Sequence, residues 1–143
     1  IIQDEVGRKK YLKYKQYLIS DPGTLSLVAA KAAYEHGGEW LREQIAYLQA
    51  NRDYLDEVLP EALPGVSWSK PESTFLGWLD FRQSGIEGNC HKFFIDRARV
   101  ALNDGAAFGE GCDGFLRINF GCTRATLEKA IQQMSAAMNS ASR

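Results

Sequence analysis

Residues 114–121 read Gly-Phe-Leu-Arg-Ile-Asn-Phe-Gly, an alternation of apolar and polar positions closed by glycine at both ends. Successive side chains of a strand point to opposite faces, so Leu116, Ile118 and Phe120 form a core face and Arg117 and Asn119 the other. A second alternating run, residues 74–81, sets Phe75, Gly77, Leu79 and Phe81 against Leu76, Trp78 and Asp80. Residues 66–69 and 100–102 are shorter strand candidates, and Asn103-Asp104-Gly105 reads as a turn that opens a glycine-rich loop running to Gly114.

The remaining periodicity is helical. Residues 4–19 place Asp4 and Glu5 in a first turn and bases further on, the favourable sense for the helix dipole, with Tyr11, Tyr14 and Leu18 at spacings of three and four. Residues 24–34 put Leu25, Val28, Ala29, Ala32 and Ala33 on one face. After Gly37-Gly38, residues 39–59 trace a stripe of Leu41, Ile45, Leu48, Leu55 and Leu59, flanked by Trp40, Tyr47 and Tyr54. At about 1.5 Å per residue such a helix reaches roughly 30 Å, long enough to bridge two bodies. Pro60 and Pro64-Gly65 are expected to end it. Residues 89–99 turn Cys90, Phe93, Phe94 and Ala98 inward; residues 124–138, capped by Thr123, present Leu127, Ala130, Ile131, Met134 and Met138, and residues 139–143 are expected to fray. Helices followed by a small sheet covered by helices predict an α+β architecture in three parts: residues 1–37, a long helix and linker over 38–64, and a self-contained unit over 65–143.

Composition narrows the function. The chain has 143 residues, 45% apolar and 24% charged, ordinary for a globular domain. A net charge of -1 predicts no general affinity for nucleic acid or anionic membrane. Arg8, Lys9, Lys10, Lys13 and Lys15 interleave with tyrosines, which reads as the solvated side of an amphipathic helix or, alternatively, as a nucleic-acid patch. No apolar run approaches the roughly 20 residues that span a bilayer. Cys90, Cys112 and Cys122 are odd in number and lack C-x-x-C spacing, which argues against a disulfide framework or a zinc site and for reduced thiols. His36 and His91 have no ligand spacing, so no metal is expected; His36 reads as a helix C-terminal residue. Adjacent helical residues point about 100° apart, which disfavours a Cys90/His91 nucleophile pair. The chain opens on Ile1-Ile2, without methionine or signal peptide, and reads as a piece of something longer. Arg117 then has two readings: a solvated or ion-paired side chain, or a planar fork of donors suited to a bidentate carboxylate.

Several motifs in order resemble a known family. Ala32-Ala33-Tyr34, Gly38-Glu39-Trp40-Leu41, Tyr47-Leu48 and residues 51–55, Asn-Arg-Asp-Tyr-Leu, are similar to the C-terminal portion of fold-type-I pyridoxal-phosphate enzymes of the class I/II aminotransferase family. So are residues 71–82 (Pro-Glu-Ser-Thr-Phe-Leu-Gly-Trp-Leu-Asp-Phe-Arg), 100–109 (Val-Ala-Leu-Asn-Asp-Gly-Ala-Ala-Phe-Gly) and 114–122. The subfamily it resembles is the cystathionine β-lyase (C-S lyase) and maltose-regulon repressor type, and the resemblance covers essentially the whole chain. It implies the C-terminal small domain of the PLP-dependent transferase fold, preceded by helices of the large domain and the interdomain helix.

By the same resemblance, Arg117 binds the α-carboxylate of an amino-acid substrate such as cystathionine or a cysteine S-conjugate, and the loop Gly105 to Gly109 lies near the same site. Ser73, Thr74 and Phe75 border the substrate or, for Phe75, pack in the core; Asn119 is structural, and Cys122 is a buried small hydrophobe. The cofactor the resemblance implies is pyridoxal 5'-phosphate. Its Schiff-base lysine, the aspartate on its ring nitrogen, the stacking aromatic and most phosphate contacts have no counterpart here, so catalytic and cofactor-binding residues are expected upstream and the piece alone is expected to be inactive. The implied reaction is α,β-elimination, with transamination on the same scaffold as the alternative and a stand-alone interaction or regulatory domain as a reading of another class. The family further implies a homodimer, and the reduced thiols point to a cytoplasmic location.

Overall fold

The computed structural model describes residues 2–18 and 20–141. Ile1, Ile19, Ser142 and Arg143, which the sequence reading touched, lie outside the described residues. Contacts divide the chain into two units, residues 1–42 and 43–143.

The first unit holds α1 (Glu5–Leu18), α2 (Thr24–His36) and the start of α3 (Gly38–Ala62). Among its described residues none is buried; Leu25 is 84% and Tyr34 93% exposed. His36 is the last residue of α2, as its place before the glycines predicts. The interruption that follows is a single residue, Gly37, not the expected pair: a Cβ there would stand 2.5 Å from the Ala33 carbonyl oxygen, while Gly38 already belongs to α3.

Pro60 does not end α3, contrary to expectation. It sits in the last turn, where its missing N–H forfeits a single bond and the helix closes two residues later. The predicted stripe is buried only from its middle onward: Leu55 and Leu59 are enclosed, as is the polar Asn51 at 1% exposure, whereas Leu41 and Ile45 stay about half exposed at 52% and 46%.

The second unit is a four-stranded antiparallel sheet in the order β1-β2-β4-β3. Its strands are β1 (Ser67–Trp68), β2 (Leu76–Asp80), β3 (Asn103–Asp104) and β4 (Phe115–Asn119). One face carries Leu79, Phe81, Leu116, Ile118 and Phe120 into a core with Leu55, Leu59 and Leu63 and with Leu127, Ile131 and Met134 of α5 (Arg124–Ala141). Each such side chain contributes about 1.5–3 kcal/mol by leaving water. Helix α5 continues through residues 139–141, where fraying was expected, because Ala137 and Met138 are buried and anchor its last turn.

Two local features depart from the expected pattern. The third strand is Asn103–Asp104 and not residues 100–102: Val100 is buried with its N–H on the Phe94 carbonyl, and pairing with β4 begins at Asn103. The expected turn at 103–105 is therefore strand followed by a 3-10 turn, Gly105–Phe108. The helix over 89–99 is α4 (Cys90–Phe93), capped by the Asn89 side chain, running into a π-helical turn at Phe94–Ala98. Cys90, Phe94 and Ala98 face inward as predicted, and Arg99 leaves the turn with a left-handed φ of 57°.

Candidate carboxylate site

Arg117 projects from the middle of β4, flanked in the ladder by Trp78 of β2 on one side and Asn103 of β3 on the other. Strand alternation sends its neighbours Leu116 and Ile118 into the core, so the backbone of the arginine is fixed by two strands and two buried side chains. Its Nε and Nη2 donate to Asn103 Oδ1 at 3.3 and 3.1 Å, and its guanidinium carbon stands 4.6 Å from the centre of the Phe108 ring.

The open face of the sheet is a row of rings between two cations. Phe108 meets Trp78 edge-on at 5.4 Å, Trp78 stacks on Phe115 at 5.5 Å, and Arg82 lies 4.6 Å over Phe115. Cation–π contacts of this kind contribute about 0.5–1 kcal/mol at exposed sites. The two arginines differ in what neutralises them. Arg82 holds Asp80 bidentately, Nε to Oδ1 at 2.9 Å and Nη2 to Oδ2 at 2.7 Å, and its hydrogen bonds keep the Asp80 carboxyl below the usual carboxylate range. Arg117 has no carboxylate partner among the described residues. A cation held in place by a neutral amide and a ring is suited to an anion from outside.

The other sequence candidates fall elsewhere in this unit. Ser73 and Thr74 line a cavity of about 300 Å³ with Ile45, Leu48 and Arg52, while Arg117 and Asn103 border a different one of about 390 Å³ between residues 99–103, the end of β4 and α5. Thr74 holds a φ of 67°, a strained conformation for a β-branched residue. Phe75 is 43% exposed and its carbonyl accepts the Phe120 N–H at 2.9 Å, extending the β2–β4 pairing beyond the strand end. Asn119 Oδ1 accepts the Gly121 N–H at 2.9 Å and shapes the exit from β4, in keeping with a structural part. Cys122 is half-buried against the core and Cys90 buried; burial pushes both thiols up, away from the thiolate a nucleophile requires. His91 Nδ1 lies 3.8 Å from Asp104 Oδ2.

Sequence reasoning passes over Asn103 and does not single out Phe108, although the loop Gly105 to Gly109 that carries it is expected near Arg117. The first was read as a turn residue, and its pairing with Arg117 is a contact between positions 14 residues apart. The second is the single aromatic in the loop from Gly105 to Gly114, a signal that could have marked it.

Pyridoxal phosphate requires a lysine that can shed its proton, which burial brings about. Among the described residues no lysine is buried. Lys70 is pulled up by Asp56 and Asp53 and Lys15 by Asp21, the opposite direction. Lys129, which shares the cavity beside Arg117, is exposed. The residues present do not fit the cofactor itself; they fit a carboxylate.

Sheet, long helix and closing helix together are the C-terminal part of the PLP-dependent transferase fold. The PLP-bound C-S lyase from Staphylococcus hominis matches with a TM-score of 0.83 at 33% identity, over 96% of this chain and 36% of that one. The chain belongs to the aminotransferase class I and II family, whose model matches residues 10–134. It is 37% identical over 134 residues to Protein MalY of Escherichia coli K12, covering 92% of this chain and 34% of that protein. To cystathionine beta-lyase PatB of Bacillus subtilis 168 it is 32% identical over 141 residues, covering 97% and 36%. The chain thus spans about a third of the length of these relatives.

Proposed function

We propose that this chain is the carboxylate-holding part of a pyridoxal-phosphate-dependent C-S β-lyase. The reaction takes cystathionine or a cysteine S-conjugate, with water, to a thiol, pyruvate and ammonia. The observation that carries the reading is the surroundings of Arg117: a guanidinium fixed on a strand, held by a neutral amide and a ring, with no carboxylate of its own among the described residues. Bidentate capture of the substrate α-carboxylate there anchors one end of the amino acid, so that the bonds at Cα and Cβ take a fixed direction toward the reacting groups. Those groups, and the residues that hold the cofactor, belong to other parts of the full-length enzyme. The names of MalY's fellow relatives, cystathionine beta-lyase and C-S lyase, support elimination as the activity.

Under this proposal residues 1–37 belong to the large cofactor-binding domain, 38–64 join it to the small domain, and 65–143 form the small domain. The exposed apolar side chains of α1 and α2 support that division, since helices of a larger domain have partners to cover them. The reading includes a homodimer located in the cytoplasm; among the described residues no helix is long and apolar enough to cross a membrane.

The test is Arg117→Lys in the full-length enzyme. An ammonium is a point charge and cannot pair both carboxylate oxygens in a plane, so KM for L-cystathionine should rise about 10- to 100-fold while cofactor affinity stays within twofold. An unchanged KM would overturn the assignment.

A further inference from the structure

Asn103 stands directly opposite Arg117 in the β3–β4 ladder, and its Oδ1 accepts from Nε at 3.3 Å and Nη2 at 3.1 Å. One neutral oxygen thereby takes up the side edge of the guanidinium. Phe108 covers one face of the same group, its ring centre 4.6 Å from the central carbon, and is itself braced edge-on by Trp78 at 5.4 Å. Nη1 makes no hydrogen bond among the described residues, so the end edge, formed by Nη1 and the outer hydrogen of Nη2, is the one left open.

The register of β3 matters as much as its presence. Asp104 follows Asn103, but strand alternation turns its carboxylate to the opposite side, where Oδ1 accepts the Ala106 N–H at 3.2 Å and Oδ2 lies 3.8 Å from His91 Nδ1. A slip of one residue would bring that carboxylate opposite Arg117 and fill its donors with an internal ion pair. The observed pairing puts the amide there instead.

We propose that Asn103 and Phe108 are positioning residues for Arg117: the amide and the ring fix the guanidinium plane without cancelling its charge, and so present its end edge to the substrate carboxylate. The amide limits rotation about the side-chain axis, and the ring limits tilt out of the plane. A carboxylate at position 103 would hold the arginine more tightly and yet disable it, because the partner that orients would also neutralise. The inference rests on the carboxylate-binding reading of Arg117.

The test uses the full-length enzyme with its cofactor, L-cystathionine as substrate, and thermal melting as a parallel readout. Asn103→Ala should raise KM about tenfold with kcat within twofold, the signature of weakened ground-state binding. Asn103→Asp should raise KM about thirtyfold or more while leaving Tm unchanged or higher, a divergence that a merely structural residue would not produce. Phe108→Leu should raise KM about fivefold, and Phe108→Tyr, which keeps the ring, should restore it to within twofold. If Arg117→Lys raises KM while the Asn103 and Phe108 variants leave it within twofold, the positioning proposal is overturned and the arginine's role stands. If Arg117→Lys also leaves KM unchanged, both fall together.

Discussion

Asn51 offers a sharp test of how the site is supported. It is 1% exposed on α3, and its Nδ2 donates to the Phe120 carbonyl at 3.0 Å and the Cys122 carbonyl at 2.9 Å, pinning the chain where it leaves the arginine-bearing strand. Its Oδ1 is buried without a partner among the described residues. Asn51→Leu keeps the approximate shape and strips both carbonyls of their donor. A buried carbonyl left unpaired costs about 1–3 kcal/mol; the second is partly exposed and costs less, and removing the unpartnered Oδ1 returns some of the loss, so we expect a net loss of about 2–3 kcal/mol.

Asn51→Asp is the stricter variant because it changes the chemistry at constant shape. A carboxylate facing two carbonyl oxygens is repelled, so its folded pKa is raised above the unfolded value of about 3.9. The variant is then most stable below about pH 4, where its protonated oxygen can donate one of the lost bonds, and weakens as pH rises through the folded pKa. Urea titrations followed by tryptophan emission, run from pH 4 to pH 8, give both numbers. A Leu variant within about 0.5 kcal/mol of the parent, or an Asp variant whose stability relative to the parent climbs with pH, would refute the reasoning.

Two other predictions concern the same sheet. Asp80 is held below its ordinary range by Arg82, so this pair stabilises the fold above about pH 4 and its contribution is lost as pH falls through the folded pKa; Asp80→Asn should lower the urea midpoint at pH 7, and its gap to the parent should narrow as pH falls below about 4. Gly105 has no room for a side chain, since a Cβ would lie 2.4 Å from the Cys112 carbonyl oxygen and 2.5 Å from that of Phe115. Gly105→Ala should therefore cost about 1–3 kcal/mol in thermal melts and, by shifting the turn that carries Phe108, raise KM as well.

What was legible in the sequence was what local periodicity controls. The core faces of β2 and β4 followed from alternation, and Leu127, Ile131 and Met134 from helical spacing. What escaped depended on distant partners. Asn51 sits in an apolar stripe as a polar letter, and only the two carbonyls 69 and 71 residues away explain its burial. Asn103 looked like a turn because Asn-Asp-Gly is turn chemistry, yet pairing with β4 overrides that preference. The full helix-breaking weight of a proline applies in a helix interior and not in its last turn, where Pro60 sits. Arg117 itself was visible, but whether it was neutralised could not be read from its own strand: that depends on Asp80 being occupied by Arg82 and Asp104 facing away.

The aromatic row has a use beyond holding its cations. Trp78 is its central ring, 5.4 Å from Phe108 and 5.5 Å from Phe115, so anything that moves Phe108 alters the surroundings of an indole. The sequence has two other tryptophans, Trp40 and Trp68. Replacing both with phenylalanine would leave Trp78 as the one indole of these 143 residues, an optical gauge built into the sheet. The arrival of an anion at the neighbouring arginine could then be followed by fluorescence, with no label attached and no turnover needed.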